Sequence, residues 1–443
     1  MAPPAAAGLH TAGGARAVVA ASVGNMLEWY DFSVFALFAI YVGENFFPSG
    51  ERVVQALLVF GLGYVARPLG AILLGLYGDR AGRKAALTAT ILIMACGTAL
   101  IALTPTYEII GTGATVILLA GRLLQGFSTG GEIGGATAFL VEHAPKAKQG
   151  LFTAWLQASM GMSKILGALV AFSVTSLLAP AAVTSWGWRI PFLLGMLIAP
   201  VGWYLRRTLD ETPDFTAELE RRRRESEAPY PLTHVFRNHW RSLLIGTGLS
   251  VLWAAAVSVL LISMPVFAQR ALGFSASDAF AASVIGNTVF AFGCFAFGGL
   301  SDRIGDRRTL LIGAVLLALG VVPLFLWLDI SRSLATLLLV ESAFGVMVSS
   351  YTGVAPKALS SLFPTSVRII GVSVVYNTAY TLFGAFAPAT VLAAGTSGSV
   401  LVPAWYVLCA AVPAVLALLL WGRGADQVSG AAAVVVAAAG RRV

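Results

Sequence analysis

The sequence predicts an all-α integral membrane protein with about twelve transmembrane helices in two pseudo-symmetric six-helix halves. Three observations carry that expectation. Of 443 residues, 58% are hydrophobic and only 11% are charged, with a mean hydropathy of +0.82. A soluble globular chain carries roughly a quarter charged residues. The apolar runs are long, whereas barrel strands would show short alternating segments. Finally, one loop pattern recurs: Gly75-Leu-Tyr-Gly-Asp79-Arg80-Ala-Gly82-Arg83-Lys84 follows the second run, and Gly298-Gly-Leu-Ser-Asp302-Arg303-Ile-Gly305-Asp306-Arg307 follows the eighth.

Taken in order, residues 1–16 form an Ala/Pro/Gly-rich tail with no basic segment ahead of its first small residues. No cleavable signal peptide is expected, and the first span serves as the insertion signal. The N-terminal half, residues 17–205, carries apolar runs at Ala17–Val42, Val53–Tyr77, Ala85–Leu103, Gly113–Val141, Leu151–Leu178 and Ile190–Leu205. A polar linker, residues 206–241, contains the run Arg221 to Arg224 and reads as a solvated connection. The C-terminal half, residues 242–422, carries runs at Leu243–Phe267, Ala279–Leu300, Thr309–Leu328, Leu334–Phe363, Ile369–Ala394 and Pro403–Trp421. Residues 423–443 form an Ala/Val-rich tail, expected to be poorly ordered and too short to span.

The net charge of +8 would suggest nucleic acid in a soluble chain, but here the basic residues fall between apolar runs. Arg80, Arg83, Lys84, Lys146, Lys148, the linker, Arg303, Arg307, Arg308 and Arg368 lie in alternate loops. That pattern places those loops and both termini in the cytoplasm of a cell inner membrane protein. Cys96, Cys294 and Cys409 each stand alone in an apolar run, and the four histidines lie in tails or loops. No metal site, disulfide framework or nucleic-acid surface is expected. No phosphate loop occurs either, so ATP does not drive the protein directly and no cofactor is called for.

The first span holds the feature around which the functional reading turns. Asn25, Glu28 and Asp31 share one face of an apolar helix. Charge at that depth is costly, so such residues face a bundle interior or an aqueous cavity. The fourth span carries Arg122, Gln125, Thr129 and Glu132 within about a quarter-turn arc, opposite a face rich in glycine. This predicts a polar stripe toward the cavity with tight packing behind it. The Arg122 fork suits a carboxylate ligand or a structural partner among Glu28, Asp31 and Glu132. Gln157 and Lys164 share a face of the fifth span, and Lys164 either pairs with a first-span carboxylate or binds an anion.

The second half is polar rather than charged. Asn287, Tyr351, Tyr376 and Asn377 are candidates for hydrogen bonds to a substrate, with interfacial packing as the competing reading. Lys357 is expected to snorkel, and Glu341 to reach the outer surface. Proton coupling needs a group whose hold on H⁺ changes with the side that is open. Asp31, Glu28 and Glu132 against Arg122 and Lys164 supply such groups, with Asp31 the leading carrier. Each net charge moved inward is worth about 2.3 kcal/mol per 100 mV, so an imported anion must bring protons.

In each copy of the repeated loop the glycine permits a tight turn, and the Asp can accept from the first N–H groups of a neighbouring helix. The basic residues can pair with a nearby helix end, for instance Glu142. Both copies resemble the signature loop of the major facilitator superfamily. That resemblance implies rocker-switch alternating access with Gly75, Asp79, Arg80, Gly82 and Arg83, and Asp302, Arg303 and Gly305, forming conformational latches. The second copy departs from the pattern, since Asp306 stands where the family usually has Arg.

The segments Gly24-Asn25…Glu28-Trp29-Tyr30-Asp31-Phe32, Arg67-Pro68-Leu69-Gly70, Gln125-Gly126-Phe127-Ser128…Gly131-Glu132…Gly135, Trp186-Gly187-Trp188-Arg189-Ile190-Pro191-Phe192 and Phe363-Pro364…Val367-Arg368 resemble the metabolite:proton symporter family. The resemblance covers nearly the whole chain. It implies symport of organic acids, shikimate or zwitterionic osmolytes with protons, and Gly121–Gly126 with Tyr351-Thr-Gly-Val is most like the citrate/tricarboxylate members. Ser361 stands where many members carry Glu, so no role transfers to it. The function expected is proton-coupled import of a small organic anion such as citrate, by a monomer in the lipid bilayer. The competing readings are an osmolyte or aromatic-acid symporter, a facilitator and a drug exporter. No enzymatic activity is expected.

Overall fold

The computed structural model of the protein describes residues 12–81, 83–130, 132–207, 232–365, 367–396 and 398–439. The described residues are almost entirely helical and group into twelve rods. The first six are α1 (Ala12–Leu37, continued by Ala39–Phe46), α2 (Arg52–Val65 and Arg67–Ala81), α3 (Arg83–Leu103), α4 (Thr112–Thr129 and Glu132–His143), α5 (Gln149–Leu177) and α6 (Ile190–Arg207). The second six are α7 (Trp240–Val257, a π-helical turn Ser258–Ile262, and Met264–Arg270), α8 (Ala276–Ile304), α9 (Asp306–Ile330), α10 (Leu334–Thr352 and Ala355–Ser361), α11 (Arg368–Ala379, a π-helical turn Tyr380–Gly384, and Ala387–Thr396) and α12 (Val402–Ala439). Eight stretches among the described residues are long and apolar enough to cross a membrane. Most of the linker, residues 208–231, lies outside the described residues.

The interruptions have a cause in the sequence. Rods α2, α7, α10 and α11 each resume at a residue followed by proline: Arg67-Pro68, Met264-Pro265, Ala355-Pro356 and Ala387-Pro388. Proline has no N–H for the carbonyl four residues back, so a carbonyl is freed at each break. At Pro68 that carbonyl belongs to Tyr64, and it accepts a hydrogen bond from the Thr381 hydroxyl at 3.3 Å. A helix break in the first half is thus tied to α11 of the second.

Glycine sets how closely the rods approach. A Cβ on Gly126 of α4 would lie 1.6 Å from the Gly63 carbonyl oxygen of α2, and one on Gly130 would lie 1.9 Å from that of Arg67. Between the halves, a Cβ on Gly150 of α5 would lie 2.3 Å from the Gly298 carbonyl oxygen of α8. The glycine face expected on the fourth span is therefore a packing face, as small residues permit in a bilayer.

Rod α4 is described as Thr112–Thr129 and Glu132–His143 on either side of residue 131, which lies outside the described residues. Beyond Trp421, α12 continues as helix to Ala439, in keeping with the high helix propensity of its alanines.

Candidate functional site

Asp31 of α1 points into the first half. The Thr98 hydroxyl of α3 donates to its Oδ2 at 2.6 Å, and Thr98 in turn accepts from the Gln125 amide of α4 at 2.9 Å. Gln125 Oε1 accepts from Arg122 at 2.7 Å, and the other arm of Arg122 reaches the Phe60 carbonyl at 3.2 Å. The guanidinium lies 4.5–4.9 Å from the ring centres of Phe32, Phe35 and Phe60. Asp31 and Arg122 therefore communicate through two side chains rather than as a direct ion pair. Asp31 Oδ1 has no hydrogen-bond partner and faces the Cα of Gly195 on α6. Asn25, one turn-pair earlier on α1, donates to the Leu156 carbonyl and to Ser159, which binds α1 to α5.

Lys164 of α5 is treated differently. It is only 3% exposed, and among the described residues it pairs with no carboxylate. Its ammonium sits 4.9 Å from the centre of the Phe290 ring of α8. It lines a small cavity between the halves with Ser33 and Leu37 of α1, Leu261 and Ile262 of the α7 π-turn, and Ser283 of α8. Nearby, Asn287 spends its amide hydrogens on Ser283 and leaves Oδ1 unpaired, and Gln157 leaves Nε2 unpaired. Buried polar groups without partners are rare in folded proteins, and an uncompensated buried charge is costly. The Lys164 ammonium thus stands beside a small gap between the two bundles, with no carboxylate paired to it among the described residues.

The halves touch on both sides of this cavity. At the end carrying the basic loops, Asp302 accepts from the backbone N–H groups of Gly150 (2.7 Å) and Leu151 (3.0 Å), the first turn of α5. Lys357 of α10 pairs with Asp302 at 2.9 Å and with Asp306 at 2.8 Å, and Arg368 pairs with Glu142 at 2.9 Å. Lys357 thus does not snorkel, because two carboxylates hold it at the bundle end. Gly305, at φ 92°, makes the turn between α8 and α9 in a region that favours glycine. At the opposite end, Phe38 stacks on Phe280 with ring centres 6.2 Å apart, and a Cβ on Gly61 would strike Phe386. Glu341 does not reach a surface either. It is 1% exposed and packed against Gly286 of α8.

The comparisons with known proteins follow this geometry. The family model described as Major Facilitator Superfamily matches residues 21–388. The chain belongs to the major facilitator superfamily. It is 37% identical over 386 residues to a citrate-proton symporter of Klebsiella pneumoniae, covering 86% of each chain. It is also 33% identical over 406 residues to a proline/betaine transporter of Escherichia coli, covering 90% of this chain and 81% of that one. Among solved structures, the xylose transporter XylE from E. coli, in a partially occluded inward open conformation, superimposes with a TM-score of 0.72 at 18% identity, over 93% of this chain and 98% of that one. Fold and homologues are those of multi-pass membrane transporters of this superfamily, not of enzymes.

The residues singled out in the sequence fall into separate groups. Asp31, Gln125 and Arg122 belong to the network inside the first half, while Glu28 is buried on the same helix and Glu132 is half-buried at the start of the second α4 segment. Lys164 lines the cavity between the halves and Asn287 bonds to its lining residue Ser283, while Gln157 is buried two turns earlier on α5. Tyr351 donates its hydroxyl to the Leu249 carbonyl at 3.0 Å, so its donor is committed to packing. Asn377 donates across the halves to the Gly130 carbonyl at 2.9 Å, whereas the Tyr376 hydroxyl faces Tyr380 and Arg67 without a well-aligned hydrogen bond. In the first copy of the loop, Gly82 and the side chains of Gly75, Asp79, Arg80 and Arg83 lie outside the described residues.

Sequence reasoning missed Thr98, which joins Asp31 to Gln125, because a threonine in an apolar run carries no distinguishing signal. It also gave no role to Arg67, although a cation four residues after Gly63 in an apolar run could have been flagged on cost alone.

Proposed function

We propose that the protein imports a small organic acid, a di- or tricarboxylate such as citrate, together with protons, by alternating access to the site between its halves. The observation that carries this reading is Lys164: a buried ammonium beside an inter-half cavity, paired with no carboxylate among the described residues. A buried cation is costly to keep, and a substrate anion entering the cavity supplies the missing counter-charge. The similarity to citrate-proton symporters supports the same substrate class and the coupling to protons.

Asp31 is the proton carrier in this reading. Its carboxylate receives one hydrogen bond, from Thr98, and Oδ1 is left for a proton. The Thr98–Gln125–Arg122 relay ties that carboxylate to α3 and α4, so a change of protonation alters how α1 packs in the first half. Glu28 and Glu132 are secondary candidates. The contacts of Asp302, Lys357 and Arg368 act as the latch of the basic end, which we place in the cytoplasm with both termini. The proton gradient is the energy source, with no cofactor, and a monomer in the bacterial inner membrane suffices.

Uptake into proteoliposomes tests the reading. An imposed inward proton gradient is expected to drive citrate accumulation that a protonophore abolishes. Asp31→Asn is expected to lose gradient-driven accumulation while retaining citrate exchange. Accumulation of glycine betaine but not of organic acids would contradict the substrate class. Proton-driven accumulation in both Asp31→Asn and Glu28→Gln would contradict the proton assignment.

A further inference from the structure

A second group of unpaired polar atoms lies between the halves, one helix turn along α1 from the Lys164 cavity. It is built from Arg67 and Tyr64 of α2, Trp253 of α7, and Tyr376 and Tyr380 of α11. Arg67 is 1% exposed, and its Nε and Nη2 have no hydrogen-bond partner. The hydroxyls of Tyr64, Tyr376 and Tyr380 and the indole nitrogen of Trp253 are also buried, and among the described residues none makes a well-aligned hydrogen bond, although the Tyr376 hydroxyl faces Tyr380 and Arg67. These side chains are in mutual contact. The Arg67 guanidinium stands 4.0 Å from the Tyr64 ring centre and 5.3 Å from that of Trp29. Tyr64 stacks on Tyr380 at 6.0 Å, Tyr380 lies 4.4 Å from Tyr376, and Tyr376 lies 4.9 Å from Trp253.

Native proteins leave a few buried polar atoms unpaired, scattered through the fold. Here six from five side chains converge on one place, contributed by both halves. All of them can donate a hydrogen bond, and one residue brings a positive charge. Water could satisfy the hydroxyls but not the charge. Aromatic rings alone could hold a quaternary ammonium, but the guanidinium already lies on the Tyr64 face and would repel a second cation. The complementary ligand group is a carboxylate, which accepts several hydrogen bonds and carries the opposite charge.

The two cationic places share one face of α1. Trp29 touches Arg67, and Ser33 and Leu37 line the Lys164 cavity. Positions 29, 33 and 37 are successive turns, so the two cations are offset along α1 by about 6–12 Å. That offset matches the spacing of two carboxylates on one short molecule.

We infer that Arg67, with the hydroxyls of Tyr64, Tyr376 and Tyr380, is a second carboxylate subsite, and that the substrate is a polycarboxylate held at one end by Lys164 and at the other by Arg67. The inference rests on the anion reading of the Lys164 cavity. It also assigns a role to the second half: α7 and α11 close on the bound acid through Trp253, Tyr376 and Tyr380, which couples binding to the approach of the halves.

Calorimetric titration of the purified full-length protein with citrate, succinate, acetate and glycine betaine tests it. The wild type is expected to bind citrate or succinate at least a hundredfold more tightly than acetate. Arg67→Gln is expected to weaken binding of the polycarboxylate at least tenfold while leaving acetate affinity within twofold, so that discrimination falls severalfold or more. The Tyr376→Phe/Tyr380→Phe double variant keeps the rings and removes only the hydroxyls, and is expected to lose five- to tenfold for the polycarboxylate. Unchanged polycarboxylate affinity in that double variant, or in folded Arg67→Gln, overturns the second subsite while leaving Lys164 in place. Loss of nothing in Lys164→Gln, or tight binding of betaine alone, overturns the anion reading itself.

Discussion

Arg122 and Lys164 are both buried cations in the N-terminal half, and their surroundings differ in kind. Arg122 is enclosed by its own half: Gln125 and the Phe60 carbonyl accept from it, and three phenylalanine rings cover its faces. Lys164 faces the other half across a small cavity, with one ring beside it and, among the described residues, no carboxylate paired with it. A cation satisfied from within one rigid body can hold that body together through a transport cycle. A cation left uncompensated between two moving bodies is stable only while something else supplies its counter-charge. The difference teaches how to divide the membrane-embedded charges between machinery and ligand site, and it separates their effects on stability from those on binding.

The largest expected effect is on the enclosed side. Arg122→Met leaves Gln125 Oε1 and the Phe60 carbonyl without their donor, and is expected to cost about 2–4 kcal/mol in chemical unfolding of the detergent-solubilised protein. Lys164→Met is expected to do the opposite: citrate affinity falls at least tenfold, which is about 1.4 kcal/mol, while the melting temperature stays level or rises because an uncompensated charge is gone. Thr98→Val removes one donor and one acceptor from the Asp31 relay. It is expected to cost about 1–2 kcal/mol in the same unfolding assay, and to reduce proton-driven accumulation more than citrate exchange.

Smaller changes are expected at the bundle ends. Lys357→Gln leaves Asp302 and Asp306 side by side without their shared cation, and spin-label distances across the basic end are expected to shift toward a more open population. Arg270 and Glu44 form an exposed pair at 3.5 Å. Glu44→Gln is expected to change stability by no more than about 0.5 kcal/mol, and a larger loss would show that surface pairs matter here more than the enclosed network.

Much of the architecture was legible because a bilayer leaves few choices. Long apolar runs must be helices, and the repeated loop with its Asp and Gly marks equivalent places in two halves. The acceptor role of the loop Asp was legible too, since Asp302 does cap the first turn of α5. Pairing choices were not legible. A helical wheel put Arg122 and Gln125 on one face, and that stripe was expected to meet the cavity; in the fold it meets α1, α2 and α3, because the rotation of α4 is fixed by its glycine contacts. Arg368, at the start of α11 and more than two hundred residues away in the chain, pairs with Glu142, a contact that only the packed halves reveal. Asp306 stood out only as a departure from the loop pattern and Lys357 only as a cation near a helix end, and the two find each other only once α10 packs against α9. Arg67 could have been flagged on cost alone, but its aromatic surroundings, Tyr64 with Tyr380 stacked on it, appear only once α11 packs against α2.

The most direct test of the central claim is citrate binding measured on wild type, Lys164→Met and Arg122→Met alongside the thermal stability of each without ligand. The account predicts that Lys164→Met is as stable as the wild type or more so and binds citrate at least tenfold more weakly, while Arg122→Met is less stable. Citrate affinity unchanged in a stable Lys164→Met protein would contradict it.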